Sequence, residues 1–149
     1  LTMSYNAGYD VSYYGYHYDT GCIDFPKSKW QESYDRRKKE NRFFAYIKDY
    51  DLNEYIGYLN YHYNSNSNRY ECGVVIESKY RKKGYGKEAL KLLIEHARLN
   101  GIKELYDNFE IDRDNTLNLF ESVGFKVMEK QKWKKFNKEV EGVLVRIVL

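Results

Sequence analysis

The sequence predicts an α+β fold, with a mixed, mostly antiparallel central sheet and helices packed on it. Three observations predict it. Residues 42–76 hold three strand-like runs joined by short polar turns, which reads as a meander. From Gly84 the apolar spacing changes from two to that of a helix. Residues 139–149 return to alternation. The 149 residues suffice for one domain with its own core, so 1–149 is expected to be a single domain.

The front of the chain comes first. Tyr5, Tyr9, Tyr13, Tyr14, Tyr16 and Tyr18 fall among Gly8, Gly15 and Gly21 with neither period, so residues 1–25 read as loop-rich, with one short strand near 11–18. Pro26, with Asp24 upstream as a cap, opens a helix over 27–40. Trp30, Tyr34 and Arg37 share one of its faces, and the basic run 36–39 is a solvated one.

Residues 42–48 form the next strand, carrying Phe43, Phe44, Tyr46 and Ile47. Residues 55–63 alternate Tyr55, Gly57, Leu59, Tyr61 and Tyr63 against Ile56, Tyr58, Asn60 and His62. The polar link 49–54 makes these two a hairpin. The Asn/Ser turn 64–68 leads into a third strand, 70–76. Ala89, Leu90, Leu93, Ile94 and Ala97 then form one helical stripe, stopped by Asn100 and Gly101. Residues 103–109 read as a strand. Asp112 or Asp114 caps a short helix through Leu117, Phe120 and Val123, ended by Gly124. Residues 125–129 and 139–149 are the last strands, the second apolar on both faces.

Composition excludes several function classes. The 17 Tyr against a single Pro argue against disorder and polyproline linkers. No apolar run approaches the ~20 residues of a membrane span. A net charge of +3 is too balanced for a nucleic-acid coat. Cys22 and Cys72 form no CxxC pair, and no basic segment leads into an apolar stretch near Leu1, so a reducing cytoplasm is expected. His17 and His96 lack spaced partners, so no metal is expected.

The stretch 73–87 carries the chemistry. A strand ends at Ile76, a basic loop follows, and a helix begins near Gly84. The first N–H groups of a helix lack internal partners, and the dipole is positive there. Gly84 and Gly86 let backbone approach a ligand, and Arg81, Lys82, Lys83 and Lys87 add charge where the dipole disfavours it. Physically this is a phosphate or pyrophosphate cradle. Lys87 is followed by Glu88, so a Walker A loop is disfavoured, and only two spaced glycines are present for a dinucleotide fingerprint.

The pattern Arg81-x-x-Gly84-x-Gly86, with Ser122-Val-Gly-Phe125 at the expected distance, resembles the GNAT superfamily of acyl-CoA-dependent N-acetyltransferases. The resemblance covers residues 42–149, and the front segment 1–41 matches poorly. It implies a three-layer sandwich, helices on both faces, and a sheet whose fourth and fifth strands (family order) splay apart. It further implies acetyl-CoA as co-substrate, with the pantetheine arm entering the splay along Val74, Val75 and Ile76 and the pyrophosphate resting on Arg81, Lys82, Lys83, Gly84, Tyr85, Gly86 and Lys87. Phe120 would flank the sulfur, at the position where many members carry a tyrosine proton donor. Asn115 stands near, but not at, the family's asparagine. A strand carboxylate is the usual base, which points to Glu71, with His62 on the neighbouring strand as a second catalytic candidate; Asp107 is read as a solvated charge and Cys72 as buried packing. The acceptor is then a small-molecule or peptide amine, walled by the tyrosine-rich front. No membrane partner is expected, nucleic acid is disfavoured, and a homodimer through the last strands is compatible. The alternative is a non-catalytic acyl-CoA-binding or nucleic-acid-binding domain using the same loop.

Overall fold

The computed structural model describes residues 31, 32, 35, 36, 42–111, 115–135 and 137–149. Where described, the front helix is helical, and Gln31 Nε2 donates to Asp35 Oδ1 one turn on at 3.0 Å. The strand expected near 11–18, the tyrosine cluster and most of the helix over 27–40 lie outside the described residues.

The order that follows is β1 (Arg42–Asp49), β2 (Glu54–Asn64), β3 (Arg69–Ile76), a 3₁₀ turn (Ser78–Tyr80), α1 (Tyr85–Leu99), β4 (Glu104–Glu110), α2 (Thr116–Ser122), β5 (Lys126–Lys135) and β6 (Lys138–Val148). These strands form one six-stranded sheet in the order β1-β2-β3-β4-β6-β5. Every neighbouring pair is antiparallel except β3 and β4, which are parallel. A parallel step needs a crossover, and α1 supplies it.

The helix stripe fixes which face is core. Ala89, Leu90, Leu93, Ile94 and Ala97 are the buried residues of α1. They pack with Leu59, Tyr61, Cys72, Leu105, Phe109, Val143, Val145 and Ile147, which all point to one side of the sheet. Phe120 of α2 joins the same cluster, so both of these helices cover the same face. The helix expected to cover the other face falls largely outside the described residues.

Both helices close the same way. Ile102 N–H donates to Ala97 C=O at 3.1 Å and Gly101 N–H to Arg98 C=O at 3.0 Å, with Gly101 at φ 78. Phe125 N–H donates to Phe120 C=O at 3.1 Å and Gly124 N–H to Glu121 C=O at 3.1 Å, with Gly124 at φ 110. This pair of bonds requires a left-handed residue, and an apolar contact accompanies it. Phe120 and Phe125 provide that contact, ring centroids 4.9 Å apart.

Ile56 is fully buried. A bulge between Ile47 and Lys48 skips it in the β1–β2 register. Three expectations are corrected. The cap of α2 is Asn115, left-handed at φ 57, and not an aspartate; residues 112–114 lie outside the description. Strand β5 runs on to Lys135, well past 129, because β6 pairs with it along its length. The lysine-rich run hides that strand from any apolar alternation, although Trp133 lies over Gly142, where a Cβ would come within 2.0 Å of the ring. Burial of both faces of β6 holds at Leu144 and fails at Val148, which is 64% exposed.

Candidate functional site

Strands β3 and β4 share a single register pair, Glu71 with Tyr106. Beyond it, toward the C-terminal ends of both strands, no further register pair joins them among the described residues. This is the expected splay, between the third and fourth strands described. On its other side β3 stays laddered to β2 through Gly73–Asn60, Val74–Leu59, Val75–Tyr58 and Ile76–Gly57. In an antiparallel ladder alternate residues turn their N–H and C=O groups away from the partner. Along 73–76 those groups face the gap. Gly57 makes this end possible: a Cβ there would stand 2.0 Å from the Val75 carbonyl oxygen.

The basic loop begins where β3 stops. Arg81 Nε donates to the Ile76 carbonyl at 3.1 Å, so the loop is tied to the strand end. Lys82 and Gly84 are both left-handed, at φ 62 and φ 86, on either side of Lys83. Such alternation turns successive N–H groups toward one concavity. Gly84 is the N-cap of α1 with no side-chain cap, and the first helical bond runs from Glu88 N–H to Gly84 C=O at 3.3 Å. The N–H groups of Tyr85, Gly86 and Lys87 therefore have no acceptor within the helix. Nothing stands within 4 Å of a Cβ built on Gly84, so there is room for a bound group. Gly86 differs: a Cβ there would meet Leu119 of α2 at 3.0 Å, so it serves the approach of the two helices. The residues present fit a pyrophosphate at the helix start and an extended arm along the gap.

Two tyrosines brace this loop in a way that sequence reading missed. Tyr85 donates its hydroxyl to Asp49 at the end of β1, and Tyr80 donates to Glu54 at the start of β2. The bond from Tyr85, then that from Leu52 N–H, lowers the Asp49 pKa; the same bond to Asp49 raises that of Tyr85. Only the β1–β2 turn brings these four residues together, so no local spacing announces them. Lys79 and Lys83 lie over the Tyr80 ring, 5.0 and 6.0 Å from its centroid.

Glu71 and His62 face each other in register on β3 and β2, with His62 Nε2 4.0 Å from Glu71 Oε2. Glu71 is held from three sides: Asn64 Nδ2 donates to Oε2 at 3.1 Å, and Ser67 Oγ and Arg69 Nε each donate to Oε1 at 3.2 Å. A carboxylate has about four acceptor sites, so one is left on the side of His62. Asp107 shares the inward side of β4 with Leu105 and Phe109 and is half-buried, so it is less exposed than a solvated charge.

Phe120 is 3% exposed, between Phe109 and Phe125 at 5.0 and 4.9 Å. Its ring belongs to the core and offers no proton. Asn115 stands at the start of α2, where its carbonyl accepts from Leu119 N–H at 3.0 Å. His96 packs against β1 and β2: its Nδ1 is 3.0 Å from the Tyr61 hydroxyl, and Phe43 stacks on its ring at 3.7 Å. No group of three or more His, Cys, Asp or Glu suited to a metal occurs among the described residues. No described helix is long and apolar enough to cross a membrane.

Cys72 is buried in the core as expected. Burial first, then the nearby Asp107 and Glu71 carboxylates, push its thiol well above the ordinary range. Because the thiolate is the reactive form, Cys72 is expected to resist iodoacetamide in native protein at pH 8 and to react once urea unfolds it. Peptide mapping by mass spectrometry reads this, and equal labelling in both states would contradict the burial.

Residues 11–125 match the family model of the acetyltransferase (GNAT) family. A search of curated protein sequences finds no significant match. Among solved structures, the chain is similar to a ribosomal-protein-alanine N-acetyltransferase from Brucella melitensis: 20% identity, 85% of this chain and 81% of that one covered, TM-score 0.75. An N-acetyltransferase from Staphylococcus aureus aligns at 12% identity, over 85% of this chain and 79% of that one, with a TM-score of 0.74. A phosphinothricin acetyltransferase from Sinorhizobium meliloti, solved with acetyl-CoA, aligns at 15% identity, over 84% and 70%, with a TM-score of 0.72. The structural matches agree on the fold, and the family model covers most of the chain. The chain therefore belongs to the acetyltransferase (GNAT) family, acyl-CoA-dependent N-acetyltransferases whose co-substrate is acetyl-CoA.

Proposed function

We propose that this protein moves the acetyl group of acetyl-CoA to a primary amine by direct attack, within a single domain spanning 1–149. The observation that carries the reading is the position of the basic loop: Gly84 opens α1 at the mouth of the gap between β3 and β4. In this reading Arg81, Lys82, Lys83, Gly84, Tyr85, Gly86 and Lys87 hold the pyrophosphate, and Val74, Val75 and Ile76 align the pantetheine arm by backbone bonds. A backbone N–H near Val74 holds the thioester oxygen as negative charge develops on it. This reading assigns Phe120 to the sulfur end of the arm and Asn115, at the start of α2, to the same cofactor.

Glu71, with His62 beside it, takes the proton from the attacking amine. Its three donors fix the carboxylate in place and leave the side toward His62 for the substrate. Phe120 supplies no proton to the departing thiolate. A thiolate leaves readily as the anion, and solvent protonates it.

Thermal denaturation and a thiol-release assay test the reading together. Acetyl-CoA at about a hundredfold its Kd is expected to add about 2.7 kcal/mol of stability, and CoA is expected to compete. Free thiol then appears when amines, amino acids, polyamines, aminoglycosides or N-terminal peptides are supplied. No stabilisation by any acyl-CoA, or stabilisation without CoA release from any acceptor, overturns it.

A further inference from the structure

We infer that Asp49 is a positioning residue for acetyl-CoA: through the Tyr85 hydroxyl it holds the first turn of α1 in the orientation that receives the pyrophosphate. The inference rests on the acetyl-transfer reading above and deepens it, since it assigns the shape of the cofactor site to a residue outside that site.

Left alone, the loop would not keep its shape. Lys82 is left-handed without being glycine, and such a residue persists only where its surroundings over-determine it. Lys82, Lys83 and Lys87 stand around a helix start whose dipole is also positive, and Gly84 gives that start no side-chain cap. Before an anion arrives, these charges repel one another. The shape therefore has to be imposed from neighbouring elements. The bond from Arg81 Nε to the Ile76 carbonyl holds the loop to the end of β3. Tyr80, only 6% exposed, ties its early part to Glu54. Tyr85, the first residue of α1, ties down the end that carries the open N–H groups.

Asp49 is itself fixed before it fixes Tyr85. Its Oδ1 accepts from Leu52 N–H at 2.9 Å, so the turn after β1 sets the carboxylate, and its Oδ2 accepts from the Tyr85 hydroxyl. The opposed pKa displacements of Asp49 and Tyr85 have this bond as their largest cause. Strand order gives the pairing its direction. β2 separates β1 from β3, and the gap opens on the other side of β3, toward β4. The Tyr85 side chain, bonded to the end of β1, therefore leads away from the gap and leaves the concavity to backbone N–H groups. Its length also keeps the Asp49 carboxylate off the pyrophosphate, which a carboxylate in direct contact would repel. The Tyr80 ring meets the Tyr85 ring edge-on, centroids 6.4 Å apart and planes at 89°, so the two ties support each other.

Calorimetry with acetyl-CoA on the full chain tests this in a double-mutant cycle. Tyr85→Phe keeps the ring and removes the hydroxyl. Asp49→Asn keeps an oxygen for Leu52 N–H and removes the charge. Tyr85→Phe is expected to weaken acetyl-CoA binding about tenfold, the scale of one hydrogen bond to a charged group. Asp49→Asn is expected to weaken it as well, and the double variant to lose no more than Tyr85→Phe, because both changes act through one bond. Pantetheine, which lacks the pyrophosphate, is expected to bind wild type and variants alike. Unchanged affinity in Tyr85→Phe, losses that add in the double variant, or an equal loss for pantetheine overturns the inference. If Tyr85→Phe fails to fold, Asp49→Asn decides: a lowered Tm with an unchanged Kd for acetyl-CoA marks a merely structural bond and overturns it. Binding by wild type that neither variant weakens defeats the positioning role alone, whereas a wild type that binds no acetyl-CoA overturns the acetyl-transfer reading and this inference together.

Discussion

Glu71→Gln is expected to lower kcat for acetyl transfer by about 10²-fold or more, the ordinary scale for loss of a general base, with the Kd for acetyl-CoA unchanged. The two effects part because Glu71 lies on the face opposite α1 and away from the basic loop. Glutamine keeps the size of the side chain and can still accept from Arg69 and Ser67, so the turn at 64–68 is expected to hold. What it loses is the oxygen toward His62, which also accepts from Asn64. Stopped turnover with intact acetyl-CoA binding supports Glu71 as the base, and full activity clears it. His62→Gln is the companion. The acid limb of the kcat/KM profile, compared between the two variants, shows which group gates the reaction. If the limb disappears in His62→Gln and persists in Glu71→Gln, the roles are exchanged.

The second large effect lies at the cradle. Gly84→Asp is expected to weaken acetyl-CoA binding by about tenfold to a hundredfold, read by calorimetry. Two causes act in the same direction. Gly84 sits at φ 86, and a Cβ in a left-handed conformation costs about 1–2 kcal/mol. The new carboxylate would also occupy the open space above the helix start and repel the pyrophosphate. Helix α1 itself is not expected to suffer much, because Asp is a favoured N-cap and its charge suits the dipole. Gly84→Asn separates the causes, since asparagine tolerates the left-handed region and carries no charge. Asn is expected to keep most of the affinity that Asp loses; unchanged affinity in both would remove the loop from the binding site. Gly86 is the poorer probe, because a Cβ there presses on Leu119 before it meets any ligand.

The meander, the crossover helix and the Gly84 loop were legible because each depends on short-range pattern. The stripe Ala89, Leu90, Leu93, Ile94 and Ala97 is the buried side of α1 with no member changed. Ser122-Val-Gly-Phe125 reads as a helix stop for a local reason, the two bonds and the Phe120–Phe125 contact that close α2. Position in space was less legible. The bulge that skips Ile56 arises from the pairing of two strands, so neither run announces it alone. Strand β5 went half unseen because cross-strand pairing, and not its own alternation, holds Lys130 to Lys135 extended. The bracing of Tyr85 on Asp49 and Tyr80 on Glu54 joins residues 36 and 26 positions apart, beyond the reach of any local spacing. The tyrosine cluster of the first eighteen residues, read as a wall of the acceptor pocket, lies outside the described residues.

Strand β5 has one more consequence. Among the described strands it is the outermost beyond β6, so one side of its backbone has no neighbour in the sheet. An open edge of this kind invites self-association, copy upon copy. Lys126, Lys130, Lys132 and Lys134 are spread along that edge, and Lys132 pairs with Glu139 of β6 at 3.6 Å. Two molecules meeting edge to edge would bring lysine against lysine. The residues that made this strand hard to read therefore also discourage the chain from polymerising through it.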